Sequence, residues 1–253
     1  MSLQGSNKDG QGLPWDIEHI FKTHPEARNC FHIVQGYDGT GDIYNWKNVQ
    51  SLHQFISTQL AVNTTLQQTN GLVDLVVADG GFEAQRDLDS QEEITCQLIG
   101  NQVAAGLCLL KPGGNFCIKM FGFQTTIIQN ILELLSQCFE TIQILKPMAS
   151  RPASAERYVV AISRNINVDL SLEMCEKYVQ SRFETNMFFP CSPCLALSNF
   201  LLAFEHDLLL LNIKACKHIL TVLNGDTNIN PNGNHNHWST NFKNHLRTCW
   251  LLV

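Results

Sequence analysis

Nine residues, Val73 to Gly81 (VDLVVADGG), constrain the chain more than any others. Four of the first five are apolar, Asp74 stands at the mouth, and no Gly or Pro interrupts the run before its end. A short apolar run closed by turn residues reads as a strand buried on both faces, as in a parallel sheet. It stops at Asp79, directly before Gly80 and Gly81. In open α/β sheets, ligands bind outside the carboxyl ends of the strands, so Asp79 stands where chemistry is expected. Lys119 in NFCIKMF and Glu156 opening ERYVVAIS fall at equivalent places. A carboxylate, an amine and a second carboxylate are thus expected at one sheet edge.

The alternation around that run supports an α/β chain. Trp46 to Leu60 has apolar residues at 49, 52, 55, 56 and 60, a helical spacing. Asp89 or Ser90 is placed to cap a helix reaching Leu110, with Glu92 and Glu93 in its first turn, where the helix dipole favours them. Its apolar stripe is Ile94, Leu98, Val103, Leu107 and Leu110, and Lys111-Pro-Gly-Gly114 stops it. Phe116 to Phe121 reads as a buried strand, Ile127 to Cys138 as an amphipathic helix, Thr141 to Leu145 and Arg157 to Ser163 as strands. The last two, with only a loop between them, suggest a terminal antiparallel pair. The expected fold is a doubly wound, Rossmann-like α/β sheet with a helical C-terminal extension. Residues 1–164 form the sheet domain, 165–223 the extension, with helices over Leu170–Arg182 and Cys194–Leu223, and 224–253 an Asn-rich loop and tail. Asp16 to Lys22 suggests one further short helix. The glycines of GYDGTGDIYNW (36, 39 and 41) could let backbone approach a ligand, but on residues alone the stretch is a surface turn.

Composition excludes several function classes. With 17 Lys+Arg against 23 Asp+Glu the net charge is −6, which argues against broad, sequence-independent binding to duplex nucleic acid. A local patch such as Lys146, Arg151 and Arg157 could still hold a few nucleotides. Ten cysteines in 253 residues are far too sparse for a small disulfide scaffold, and Cys96, Cys108, Cys117 and Cys138 lie in apolar segments. They read as reduced core residues of a cytosolic or nuclear protein. Cys191 and Cys194 make the lone C-x-x-C, read as loop structure; His235 and His237 read as part of a solvated loop. No run of about 18 apolar residues would span a membrane.

Most familiar motifs are missing. There is no G-x-S-x-G, no G-x-x-x-x-G-K-[ST] and no H-E-x-x-H, and no strand is followed by G-x-G-x-x-G. An ammonium inside an apolar strand is costly unless paired, so Lys119 calls for Asp79 and Glu156 as neighbours. That pairing serves a structural salt bridge as readily as a lysine that orients or deprotonates a hydroxyl.

DGTGDI, VVADGGF, LLKPGGNFCIKMF and KPMASRPASAERYVV together resemble the cap-specific mRNA ribose 2′-O-methyltransferases within the FtsJ-like RNA methyltransferases. The likeness is nearly continuous over residues 1–163, and SRPASAERYVV is its most specific run. The resemblance implies methyl transfer from S-adenosylmethionine to the first transcribed nucleotide of capped mRNA, by a Lys-Asp-Lys-Glu tetrad and without a metal. Asp79, Lys119 and Glu156 match its last three members. Asp42 and Ile43 match a cofactor-contacting segment, and Asp89, Ser90, Gln91 and Ser154 the positions that touch capped RNA, with different residue types. It also implies nuclear location and a partnership with the transcription machinery. The family's first Lys and Gly-rich cofactor loop have no counterpart in these residues. The expectation is therefore that the Val73 strand becomes an exposed edge in this chain, that S-adenosylmethionine binds it undetectably, and that solubility is poor. The rival expectation is an inactive fragment that at most binds RNA or protein. An unrelated oxidoreductase fits worse.

Overall fold

The computed structural model describes residues 2–3, 21–26, 31–63, 72–80, 91–147, 150, 153–168, 170–184, 188, 195–224 and 251–252. Strands β1 (Ser2–Leu3) and β2 (Ile33–Val34) pair in parallel as a small sheet of their own. Helix α1 (Trp46–Asn63) follows. Then come β3 (Val73–Ala78), α2 (Gln91–Leu109), β4 (Leu110–Met120), α3 (Thr126–Cys138), β5 (Phe139–Leu145) and β6 (Arg157–Arg164). Helices α4 (Leu172–Gln180) and α5 (Leu195–Leu223) and a last short strand β7 (Leu251–Leu252) complete the described chain.

The larger sheet runs β3-β4-β6-β5-β7. β3 and β4 are parallel, joined by the α2 crossover that parallel pairing requires. β6 inserts antiparallel between β4 and β5, so the expected antiparallel pair is present. Its position beside β4 was not readable from chain order. Leu251 and Leu252, to which the sequence assigned no role, pair with Gln143 and Ile142 of β5.

One sheet face is sealed. Phe116, Ile118 and Met120 of β4, Val159 and Ala161 of β6, and Ile142 and Ile144 of β5 are buried on it. Helix α2 lies on this face. It is buried on every side from Leu98 to its end, because α3 and α4 flank it while the sheet lies beneath. Such a helix has no polar stripe, which is why a single apolar face was the wrong expectation; Ile94, assigned to that stripe, is exposed. Gly106 permits the contact with the sheet, since a Cβ there would stand 2.8 Å from the Phe116 ring. The N-terminus of α3 is capped by Thr125, whose hydroxyl accepts the Ile128 N–H.

The opposite face is more open. Leu75 and Val77 of β3 are 58% and 63% exposed. The expectation of a strand buried on both faces is corrected here: among the described residues β3 has β4 as its one partner and stands at the sheet edge. The KPGG stretch did not simply end the helix. It is absorbed into β4, where the register jumps from Val73↔Leu110 to Leu75↔Asn115 and Gly113 takes a positive φ of 75°. Helix α5 packs Leu197, Leu201, Phe204 and Leu208 inward and leaves Leu202, Leu209, Leu220 and Leu223 exposed.

Among the described residues six cysteines are free thiols, with Cys108 and Cys138 buried as expected and Cys96 and Cys117 partly so. The Cys191–Cys194 motif, His235 and His237 lie outside the described residues, and the Asp16–Lys22 helix largely does so. Among the described residues no helix is long and apolar enough to cross a membrane.

Candidate functional site

Strand direction decides where the three ionisable residues meet. β3 and β4 run the same way and β6 runs against them, so the ends of the first two and the start of the third share one edge. Ala78 pairs with Ile118, which sets Asp79 beside Lys119; Lys119 pairs with Tyr158, which sets Glu156 just beyond the corner.

Lys119 Nζ lies 2.7 Å from Asp79 Oδ1, and also donates to the Asp79 carbonyl at 3.3 Å. Its side chain is 16% exposed against 56% for Asp79, so the amine sits in the wall and the carboxylate at the rim. The ring of Phe121 lies 5.7 Å from the same nitrogen. An ammonium has three N–H donors; two go to Asp79, leaving one for another acceptor.

Glu156, expected to pair with Lys119, is bonded instead to a residue the sequence reading missed. Tyr158 Oη donates to Glu156 Oε1 at 2.8 Å, while its backbone sits directly across from Lys119. Burial, then the bond to Glu156 and the charge of Asp79, push the Tyr158 hydroxyl well above the usual phenol range, so it stays a donor. The signal was available: residues two apart on a strand share a face, so an E-x-Y opening a strand places both side chains together.

Ser154 lies in the loop before β6, where Lys146 Nζ meets its carbonyl at 2.7 Å and its hydroxyl at 3.2 Å. The basic patch expected of Lys146, Arg151 and Arg157 is not formed at the surface. Lys146 is 2% and Arg157 4% exposed, because each points inward to protein partners. Arg157 pairs with Glu205 of α5 and covers the Phe123 ring, while Lys146 holds the loop backbone. Arg151, Asp89 and Ser90 lie outside the described residues, and Gln91 is the first residue of α2. Glu92, expected only to favour the helix dipole, has a second role: its Oε1 accepts the N–H groups of Gln124 and Thr125, pinning the loop that leaves β4.

Asp42 and Ile43 sit in a separate, tightly bonded turn between β2 and α1. Asp38 Oδ1 accepts from the backbone and hydroxyl of Thr40, and Asp38 Oδ2 accepts from Asn45 at 2.6 Å. Buried Asn48 accepts the Asp38 N–H and donates to the Asp42 carbonyl. These bonds hold the Asp38 carboxyl far below the usual carboxylate range. Gly36, with φ +77°, passes so close to Asn48 that a Cβ would stand 2.5 Å from its side chain. Asp42 Oδ1 accepts the Tyr44 N–H at 2.9 Å; the Asp42 side chain is exposed, while Ile43 is half-buried against the core. Among the described residues no group of His, Cys, Asp and Glu gathers as for a metal ion.

The family profile described as FtsJ-like methyltransferase matches residues 8–164, and the chain belongs to that family. The chain is 34% identical over 181 residues to cap-specific mRNA (nucleoside-2′-O-)-methyltransferase 1 of Trypanosoma brucei brucei, covering 71% of this chain and 44% of that protein. Proteins of the same name from Danio rerio and Homo sapiens are 32% and 30% identical over 161 and 169 residues. These matches cover 63% and 67% of this chain but 18% and 19% of theirs, so it spans less than half the length of these relatives. A solved chain titled Alphavirus P23pro-zbd overlays 46% of this chain and 18% of its own at 17% identity and a TM-score of 0.34, too slight a likeness to bear on the fold.

Proposed function

We propose that this chain supplies the acceptor side of an mRNA cap ribose 2′-O-methyltransferase, with Asp79, Lys119 and Glu156 as its catalytic residues. The observation that carries the reading is Lys119, recessed at a strand end, held twice by Asp79 and left with one donor to offer. That remaining N–H meets the 2′-oxygen of the first transcribed nucleotide and fixes its direction of attack. Asp79 holds the ammonium in place; as the oxygen forms its bond to the methyl group, the hydroxyl proton passes to solvent water, which alone is free to take it. Glu156, steadied by Tyr158, adds negative potential on the far side of the amine. Ser154 stands beside Glu156 as the capped RNA contact. S-adenosylmethionine, when bound, supplies an electrophilic methyl group. Asp42 and Ile43 would hold its adenosyl part, the exposed carboxylate as a hydrogen-bond acceptor and the isoleucine as an apolar contact. On this reading, taken from the family resemblance, the protein works in the nucleus beside the transcription machinery.

A second reading, an RNA- or protein-binding module without turnover, is favoured by the exposed edge of β3. Both are tested by methyl transfer from labelled S-adenosylmethionine to a short capped RNA, using the protein as it occurs in its cell. The label is expected on the 2′-oxygen of the first nucleotide, and Lys119→Ala is expected to lower the rate roughly 10²–10⁴-fold without loss of fold. Near-normal transfer by that variant removes the role given to Lys119. Capped RNA bound without any transfer selects the second reading.

A further inference from the structure

Lys146 is a buried cation that the mechanism above does not use. It directly follows β5, at the start of the eleven-residue connection 146–156 that leads into β6. Its ammonium donates to the Ser154 carbonyl at 2.7 Å, the Ser154 hydroxyl at 3.2 Å and the Glu156 carbonyl at 3.1 Å. Three donors thus meet three acceptors, and all three acceptors belong to the last residues of the same connection. The first residue of the loop closes its end. Ser150, whose hydroxyl lies 3.2 Å from that of Ser154, is drawn into the same knot.

We propose that Lys146 is a positioning residue for the acceptor side: its buried ammonium fixes the Ser154 contact and the backbone of Glu156, so that Glu156 is held by Lys146 at its main chain and by Tyr158 at its carboxylate. This rests on the roles assigned to Ser154 and Glu156 above. Losing one proton would leave two donors and a lone pair facing three oxygens, and one end of the loop would come free. The surroundings bring that loss close to neutrality. Burial and the adjacent Arg157 guanidinium lower the Lys146 amine to about 8, with Glu156 opposing them. Glu205, which pairs with Arg157, and Glu92, whose charge reaches it, stand on the guanidinium side. The sign follows from the folded value lying below the ordinary lysine value. Above pH 8 the folded protein releases the proton before the unfolded chain does, so overall stability rises with pH while the loop loosens.

The test has two arms. In the 253-residue chain, backbone amide shifts of residues 154–156 are followed by NMR between about pH 6.5 and 9.5. They are expected to titrate together with a midpoint near 8, and to lose that titration in Lys146→Met. In the protein as it occurs in its cell, Lys146→Met is expected to raise KM for a short capped RNA about tenfold and to leave KM for S-adenosylmethionine unchanged. The unmodified protein should show the same rise in KM as pH passes 8, an arm that does not depend on the variant folding. Flat amide shifts in the unmodified chain overturn the clamp. An unchanged KM for RNA in Lys146→Met, where Lys119→Ala abolishes transfer, overturns its positioning role. Silence of both variants overturns the functional reading itself and the role of Lys146 with it.

Discussion

Two irregular segments carry candidate site residues, and they are held in opposite ways. Residues 37–45 are tied by many short bonds among neighbours: Asp38, Thr40, Asn45 and Asn48 close one another's backbones within ten positions. Among the described residues of 146–156, the buried amine of Lys146 ties the first residue to Ser154 and Glu156, with Arg157 Nε on the Ala155 carbonyl beside it. The first is exposed and anchored by a carboxylate; the second is half-buried and anchored chiefly by one buried ammonium. Their weaknesses therefore lie on opposite sides of neutrality. Acid threatens the first by protonating Asp38, and mild alkali the second by deprotonating Lys146.

Substitutions can break this contrast. The largest effect is expected at the second segment's outer tie. Tyr158→Phe keeps the packing but removes the donor to Glu156, a bond to a charged group worth about 1.5–3 kcal/mol. If Glu156 needs that aim, kcat falls about tenfold or more, beyond the fall of a few degrees in melting temperature that the lost bond alone brings. An unchanged kcat would show that the Lys146 backbone contacts suffice. Next comes Asn48→Ala, which removes the one buried member of the first network, the acceptor of the Asp38 N–H and one of two donors to the Asp42 carbonyl. Denaturant melts should show about 1–3 kcal/mol lost. A loss under about 0.5 kcal/mol would mean that the remaining bonds carry the turn alone. The smallest effect is expected for Asp38→Asn. Because the folded Asp38 carboxyl lies below its ordinary value, its contribution is present above about pH 4 and fades as pH falls through and below that point. The substitution should flatten the acid limb of the melting profile between about pH 4 and 2 and leave neutral behaviour nearly unchanged. An identical acid limb would show that this carboxylate does not anchor the turn.

The same two segments show how much the sequence disclosed. The strands and helices were readable because their apolar spacing is local, and Asp79, Lys119 and Glu156 because strand ends can be counted along the chain. The first turn was visible in its Gly, Asp, Thr and Asn content, although its hydrogen bonds were not. The burial of Lys146 and Arg157 was hidden. Charged residues in a polar stretch look like surface until partners such as Glu205, 48 positions away from Arg157, are known. α2 misled for a related reason, since encirclement by the sheet, α3 and α4 erases the amphipathic stripe that periodicity seeks. The edge position of β3 is likewise set by which strands are neighbours, and its residues alone read as a central strand.

The placement of Lys119 on β4 also bears on how the protein ripens after synthesis. Its partners lie about forty positions away on either side, Asp79 upstream and Tyr158 downstream, so the constellation closes only after long-range pairing. β4 moreover matches β3 in parallel and β6 antiparallel, two ladders that must agree on the direction of each side chain. A slip of one residue in β4 would turn Lys119 toward the sealed face beneath α2 and carry Ile118 or Met120 into the open. An ammonium under that helix would have neither water nor Asp79 to compensate it. The lysine thus acts as a proofreader of strand register: a chain that misaligns β4 is penalised in stability and, in the role proposed for Lys119, silent in chemistry as well.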